Sequence, residues 1–296
     1  KEQYNRYTLY KWYLLKTSGY DATLKLNENK LLLYIQSDEN IYEIPYYLYN
    51  GKQYVCLNFH DYPGLDLQQV KFNLVNLANL EGGNPFSYKI NQLPNFEKSK
   101  YTEKMVQFEY GNSQYQFNLK VNPEIQQIFA NYPIVDYEAN FNIPLSNELY
   151  QSLIPILKKN TAGLTTEKGV EYLMRFTRYA FLFKSDTEQF GKEKRLTPEQ
   201  TLIYGESDCE DRAALFYYLV KELYNLPMLV LSYPRHVTIA VKFDKAIGRP
   251  LLYKGEAYSI CEPTPQKKDL KIGQMIPALR DVPYEVVCTY TPVFQK

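Results

Sequence analysis

The stretch GESDCEDRAALFYYLV, residues 205–220, decides the fold of the C-terminal half of this chain. Gly205 breaks the segment before it, and Asp208 is a favourable residue to cap the start of a helix. Residues 213–220 carry no charge, and a helix that is apolar on all sides belongs in the interior of a domain. The stretch therefore predicts a central, buried helix with Cys209 at its N-terminus.

This position suits a nucleophilic thiol, because backbone N–H groups at a helix start favour a thiolate and can later hold an oxyanion. Four carboxylates lie near the thiol in sequence, and like charge raises the pKa of a thiol; they belong to Glu206, Asp208, Glu210 and Asp211. The thiolate then needs a cation, and His236 is the histidine available in this half of the chain. If the acids cap the helix or pair with Arg212 or other groups, their effect on the thiol is smaller.

Three strands are predicted after this helix, at residues 228–232, 236–243 and 257–262. If the second and third strands pair antiparallel with His236 opposite Glu262, the turn is centred at residue 249. In that register the carboxylate of Glu262 could orient His236, as the third member of a catalytic triad does. An extra turn at residues 254–256 would move the register.

The order of these segments resembles the transglutaminase-like superfamily of papain-related cysteine enzymes. The matching segments are SDCEDRA at residues 207–213, YPRHV at 233–237 and CEPT at 261–264. In that superfamily a Cys opens the central helix, a His opens the next functional strand, and an Asp supplies the acid. Here the acid position holds Glu262, whose extra methylene changes how the carboxylate meets the imidazole.

The resemblance covers about residues 136–296 and comes closest to bacterial transglutaminase-like proteins that are grouped with the cysteine peptidases. It implies catalytic roles for Cys209, His236 and Glu262, a protein or peptide substrate, and attack on an amide bond. Water would resolve the thioacyl intermediate in a peptidase or amidase, and an amine would do so in a transglutaminase. Because such bacterial proteins are often exported, the resemblance also implies an extracytoplasmic location, in the periplasm or at the cell surface.

Some assignments stay open from the sequence. Gln200 and Tyr204 are both candidates to complete an oxyanion hole with the backbone N–H of Cys209. Cys261 is the rival nucleophile, since a register slip of one residue would place it opposite His236. The alternative to an enzyme is a non-catalytic module that keeps this fold to bind a peptide or a glycan. A third hypothesis is an inert scaffold with a buried Cys209.

The chain as a whole predicts an α+β protein. Residues 22–121 are mostly strand-like, with turn signals such as Gly111-Asn112-Ser113, which is expected to close a hairpin. Helices are expected at residues 123–130, 146–159 and 166–183. We therefore predict an N-terminal antiparallel β-rich domain over residues 1–125 and a transglutaminase-like domain, with its central helix on an antiparallel sheet, over residues 126–296.

Composition restricts the partners and the chemistry. The formal net charge is +1, from 34 basic and 33 acidic residues, which gives no basic excess for nucleic acid. No apolar run approaches the ~20 residues that cross a bilayer. The four cysteines have no CxxC spacing and the chain has two histidines, so we predict neither a disulfide framework nor a metal or other cofactor. His60, Cys56 and Cys288 are expected in turn or packing positions.

Overall fold

The computed structural model describes residues 2–75 and 82–292. In chain order, the elements of its first part are α1 Glu2–Thr17, β1 Ala22–Asn27, β2 Lys30–Ser37, β3 Ile41–Tyr42, β4 Tyr46–Tyr49, β5 Lys52–Cys56, β6 Asn73–Leu74, β7 Thr102–Tyr110, β8 Ser113–Val121, α2 Glu124–Ile128 and β9 Ile134–Val135. The later elements are α3 Tyr137–Phe141, α4 Asn147–Thr161, α5 Thr166–Tyr179, β10 Leu182–Phe183, α6 Asp186–Phe190, α7 Pro198–Tyr204, β11 Glu206–Ser207, α8 Cys209–Tyr224, β12 Met228–Tyr233, β13 His236–Val241, β14 Leu251–Tyr253, β15 Glu256–Cys261 and β16 Glu285–Tyr290.

The chain forms two compact units and has an α+β fold. The first unit comprises Lys1–Lys89 and Pro133–Asp136, and the second comprises Ile90–Tyr132 and Tyr137–Lys296. No helix in the described ranges is long and apolar enough to cross a membrane.

The first unit is built on an antiparallel sheet of five strands in the order β4-β5-β2-β1-β6. Strand β2 is buried at every position after Lys30, so both of its faces are covered. Trp12 of α1 packs with Leu24 and Leu33 on one face, and its indole N–H donates to the carbonyl of Ala22 at 3.0 Å. The predicted antiparallel sheet in this part of the chain is confirmed.

The units divide at a different place from the predicted boundary near residue 125. The hairpin of β7 and β8 forms with the expected tight turn, since Tyr110 pairs with Ser113. Its apolar side chains Val106, Phe108 and Leu119 belong to the same core as the helices that follow. Alternating apolar residues predict that a strand has a buried face but not which element covers it, so the sequence pattern assigned the hairpin to the first segment.

The second unit has the predicted central helix on an antiparallel sheet. Helix α8 is buried from Asp211 to Val220, and the sheet has the order β14-β15-β13-β12-β16. One face of the sheet, with Val230 and Ile239, joins the core around α8. Its other face carries Leu231 and Ile260 and packs against the chain segment that follows β15. A sheet buried on both faces holds its strand ends, and therefore the residues placed there, in a fixed geometry.

Candidate active site

Cys209 is the first residue of α8, and the helix start around it is closed by a capping box. The carboxylate of Asp208 accepts the N–H groups of Glu210 at 2.9 Å and Asp211 at 3.3 Å, and Asp211 accepts the N–H of Asp208 at 3.3 Å. Before it, Gly205 ends α7 in the left-handed region at φ 73°, which a residue without a Cβ adopts most readily. These three hydrogen bonds do not use the N–H of Cys209.

His236 and Glu262 are joined in the structure. The Nε2 atom of His236, the first residue of β13, lies 2.8 Å from Oε2 of Glu262, and the two side chains are 12% and 2% exposed. The other oxygen of Glu262 accepts the N–H of Thr264 at 2.8 Å. An ionised carboxylate only accepts hydrogen bonds, so when Glu262 is ionised Nε2 is the donor of this contact, and in a neutral imidazole the lone pair then lies on Nδ1.

The register that brings this pair together differs from the predicted one. Ala240 lies opposite Ile260, not opposite Tyr258, so the pairing is shifted by two residues. The cause is the additional strand β14, which pairs with β15 through a turn at Lys254 and Gly255, both with positive φ. A shift of two keeps every side chain on its face of the sheet, and Glu262 therefore still faces His236.

The thiol of Cys209 lies against the start of β13. The backbone N–H of Val237, the residue after His236, hydrogen-bonds the sulfur and lowers the pKa of the thiol. Within residues 2–75 and 82–292, no hydrogen bond joins the thiol to the His236 ring. The structure thus brings Cys209 to the backbone beside His236, while the His236 side chain is held by Glu262.

The electrostatic environment keeps Cys209 a thiol at rest. Burial raises the pKa of Cys209 well above its ordinary value, and the charge of Asp208 is the next largest cause. Glu210 and Glu262 raise the pKa further, and the Val237 hydrogen bond opposes them only in part. Nucleophilic attack from this site therefore requires a base that takes the thiol proton as the bond forms.

The two acids of this cluster that do not cap α8 each have a basic partner. Glu206 lies 3.0 Å from the Nζ atom of Lys184. Glu210 accepts the Tyr137 hydroxyl at 3.0 Å through one oxygen and pairs with the Nε atom of Arg195 at 2.8 Å through the other. These pairs reduce the negative charge that the thiol experiences.

Arg212, a possible partner of these acids from the sequence, instead binds backbone carbonyls through its side chain. Its guanidinium is fully buried and donates to backbone carbonyls; these belong to Thr177, Arg178, Phe181, Leu182 and Ser207. Asp211 is occupied instead by backbone N–H groups, including that of Leu196 at 2.8 Å. Arg212 therefore fixes the main chain around the start of α8.

Gln200 and Tyr204 are both placed on α7, and neither is shown to complete an oxyanion hole. Gln200 is almost fully buried, and its amide oxygen accepts the N–H of Thr197 at 3.1 Å in a capping box. Tyr204 packs edge-on against Phe190, with ring centroids 5.3 Å apart. Both assignments remain predictions.

The other cysteines and His60 lie where packing and turn residues are expected. Cys56, Cys261 and Cys288 are buried in the hydrophobic cores. Cys261 is fully buried, and burial raises the pKa of its thiol. His60 lies in a short 3-10 turn with its side chain 78% exposed.

One group of acids in the described ranges has the spacing to hold a metal ion. Single oxygens of Asp186, Glu193 and Asp208 lie within 4.8 Å of one another. Burial raises the pKa of Asp186 to about 7, with Asp208 the next cause, so this carboxyl is partly protonated at neutral pH. Arg195 also supplies positive charge beside Asp208. This protonation and this cation offset part of the negative charge of the group.

Arg178 contacts Glu262 but is not among the residues predicted from the sequence for this site. It lies in the last turn of α5, and its Nε atom donates to the backbone carbonyl of Glu262 at 2.7 Å. The signal in the sequence is a charge on an apolar face, because Arg178 follows Val170 and Met174 at helical spacing. Side chains at such positions are buried, and a buried Arg needs several acceptors.

Two cavities lie away from this cluster. One of 340 Å³ in the second unit is lined by residues of the segments 91–101 and 144–148. Another of 530 Å³ in the first unit is lined by Trp12, Lys25, Tyr47 and Tyr54 among others. Neither is lined by Cys209, His236 or Glu262, so cavity size does not point to the same place as the chemistry.

Comparison with known proteins gives a distant structural likeness. No protein-family model and no curated protein matches the chain. A solved structure from Cytophaga hutchinsonii, named a "putative cysteine protease", shares 12% identity at a TM-score of 0.32. The match covers 68% of this chain and 74% of that one. At this TM-score the likeness assigns neither a family nor an activity.

Proposed function

We propose that the second unit is a cysteine-nucleophile enzyme that acts on amide bonds as a peptidase or amidase. Cys209 is the nucleophile, His236 the base and acid, and Glu262 the group that orients His236. The observation that carries the proposal is the 2.8 Å contact between His236 and Glu262, on a strand whose next N–H reaches the Cys209 sulfur. Each of the three groups has a defined chemical task in this arrangement.

In the first half of the reaction, the Sγ atom of Cys209 attacks the carbonyl carbon of the substrate, and its proton passes to Nδ1 of His236. The carbonyl oxygen becomes an oxyanion, which the N–H of Cys209 at the helix start is suited to stabilise. The C–N bond then breaks, and the imidazolium gives its proton to the leaving amine. A thioester on Cys209 remains, and Glu262 stabilises the charge on His236 throughout.

In the second half, His236 takes a proton from water, and the hydroxide equivalent attacks the thioester carbonyl. The C–S bond breaks, the acid product leaves, and the proton returns from His236 to the Cys209 sulfur. An amine in place of water would give a new amide by the same sequence, as in a transglutaminase. The two outcomes differ in the acceptor alone.

The test is the rate at which iodoacetamide alkylates Cys209, followed across pH by peptide mass spectrometry so that the three buried cysteines are scored separately. We expect Cys209 to react at least about tenfold faster in the wild type than in His236→Asn at neutral pH, because the imidazole is lost as the proton acceptor. A matched control is His60→Asn, which removes the exposed histidine of the first unit and leaves the rate unchanged.

Other outcomes assign the other functions. If Cys209 is accessible but reacts at the same ordinary rate in both proteins, the site is a binding module that keeps the fold without the chemistry. If Cys209 is not labelled in the native protein, it is a packing residue. If the site is reactive, incubating a peptide mixture with and without added cadaverine separates hydrolysis from transfer to an amine, by a product mass that contains either water or the amine.

A further inference from the structure

We propose that Arg178 is a positioning residue of this site, which fixes the strand end that presents Glu262 to His236. The inference rests on the proposed function and deepens it, because it names the group that sets the geometry of the acid. Arg178 would touch neither substrate nor the reacting atoms, and it would act through Glu262.

Glu262 needs an anchor because it lies outside the hydrogen-bonded ladder. Strand β15 ends at Cys261, which is opposite Ile239, and Pro263 follows Glu262 without an N–H to donate. Beyond the last pair of the ladder, the carbonyl of Glu262 accepts a hydrogen bond from the Arg178 guanidinium at 2.7 Å. With Thr264 holding one carboxylate oxygen, the main chain and the side chain of Glu262 are each fixed by a separate hydrogen bond.

The guanidinium is itself held in one orientation. Arg178 is 2% exposed, and its Nη1 atom donates to the carbonyl of Leu270 and to the carboxylate of Asp269, both at 2.7 Å. The planar fork of an arginine can satisfy acceptors in several fixed directions, which a lysine cannot do. The three contacts join the end of β15 to the segment that follows it.

The same residue is connected to the nucleophile through its backbone. Arg212, one turn after Cys209 in α8, donates to the carbonyls of Thr177 and Arg178 at 2.7 and 2.8 Å. These carbonyls belong to the C-terminal turn of α5, where a cation is also favoured by the helix dipole. A buried chain of hydrogen bonds therefore runs from the helix of Cys209 through Arg212 and Arg178 to Glu262. This chain sets the relative positions of the nucleophile and the acid.

A purely structural role makes a different prediction from a positioning role. A buried arginine with three acceptors stabilises the unit in either case, so a loss of stability does not distinguish the two. A positioning role makes the effect of Arg178 on Cys209 depend on Glu262. The effects of changing both residues are then not additive, which a double-mutant cycle measures.

The experiment measures the iodoacetamide rate of Cys209 in the full chain as a function of pH, together with the thermal melt. The variants are Arg178→Lys, Glu262→Gln and the two combined. We expect Arg178→Lys to slow Cys209 by about tenfold or more, since a small displacement of a positioned group can cost up to about 100-fold. We expect the pH at which alkylation becomes fast to rise, and the double variant to react no more slowly than Glu262→Gln alone.

Arg175→Lys is the matched control. Arg175 lies one turn earlier on α5 and pairs with the same Asp269, while its Nε atom donates to the carbonyl of Glu109 and not to that of Glu262. We expect its pH profile to equal that of the wild type. If Arg178→Lys does not fold, Asp269→Asn replaces it, because it removes the charge from one of the three acceptors of Arg178 and leaves a single acceptor oxygen, at a half-exposed position. The inference is then supported if Asp269→Asn lowers the alkylation rate of Cys209 in the wild-type protein but does not lower it further in Glu262→Gln.

Two results would overturn the positioning role. One is a rate for Arg178→Lys that equals the rate for Arg175→Lys, and the other is a loss of the same size with and without Glu262→Gln. Failure of the proposed function has a different signature, which is a wild-type Cys209 whose rate does not change in His236→Asn. The positioning role is therefore tested by the Arg178 variants, and the proposed function is tested by His236→Asn.

Discussion

Replacing Glu262 by Gln tests the contact on which the mechanism depends. Both oxygens of Glu262 accept hydrogen bonds, one from His236 and one from Thr264, each at 2.8 Å. Gln has the same shape but one acceptor oxygen, so its NH₂ group must face one of the two donors. The substitution removes the negative charge and places an N–H donor opposite another donor, while the volume of the side chain is almost unchanged.

The magnitude follows from the burial of the pair. A hydrogen bond to a charged group is worth roughly 1.5–3 kcal/mol, which corresponds to about a 10- to 150-fold change in rate when the bond acts mainly on the charged imidazole. The value is not reduced by solvent screening, since Glu262 is 2% exposed and His236 is 12% exposed. We therefore expect Glu262→Gln to lower the alkylation rate of Cys209 near neutral pH by this factor.

The assay is the iodoacetamide rate of Cys209, with Glu256→Gln as the control. Glu256 is the first residue of β15, half-exposed and paired with Lys242, so its replacement removes one negative charge at the end of the strand away from Glu262. We expect the control to react at the wild-type rate. A change of less than about twofold in Glu262→Gln, with the protein folded, would refute the orienting role, because the expected loss is several times larger.

Three further predictions follow from the same contacts. Glu262→Asp keeps the charge but shortens the side chain by one methylene, so it should lose the contact with His236 and slow Cys209 by about tenfold or more in the same assay. Beside burial, the charge of Asp208 is the next largest cause that raises the pKa of Cys209. Asp208→Asn keeps a capping side chain and removes this charge, so alkylation at about pH 8 should become faster, and an unchanged rate would contradict this account. Burial raises the pKa of Glu199 to about 7 from 4.5, so the folded state binds a proton that the unfolded state releases, and stability should fall as pH rises between these values. The free energy of unfolding, measured in urea, should change with pH by up to roughly 3 kcal/mol less in Glu199→Gln than in the wild type. Equal slopes of this free energy against pH in the two proteins would contradict the prediction.

The central helix could be predicted from the sequence because two independent signals agreed. Asp208 marks the start, and residues 213–220 lack any charge, which leaves few places for this segment except the interior. The predicted association of His236 with Glu262 was found even though its predicted register was wrong. Side-chain direction depends on the parity of the register, and the additional strand β14 changed the register by an even number.

The remaining features depended on contacts between distant segments. Arg178 carries a charge on an apolar helix face, but its acceptors Glu262, Asp269 and Leu270 are more than 80 residues away and are not marked by any local pattern. The hairpin of β7 and β8 shows the same limit, since its alternation predicts a buried face without naming the helices that cover it. Local sequence patterns therefore predict the helices and strands. The boundary between the two units and the contacts of Arg178 depend on tertiary contacts that these patterns do not contain.

The most direct test of the central claim is whether Cys209 forms a thioester that His236 helps to make and to break. Incubation with p-nitrophenyl acetate should give a burst of p-nitrophenol close to one equivalent, with an acetyl group on Cys209 by mass spectrometry. In His236→Asn the burst should slow by at least about tenfold, and in Cys209→Ala it should disappear. Acetylation elsewhere, or a Cys209 burst that is equally fast without His236, would contradict the account.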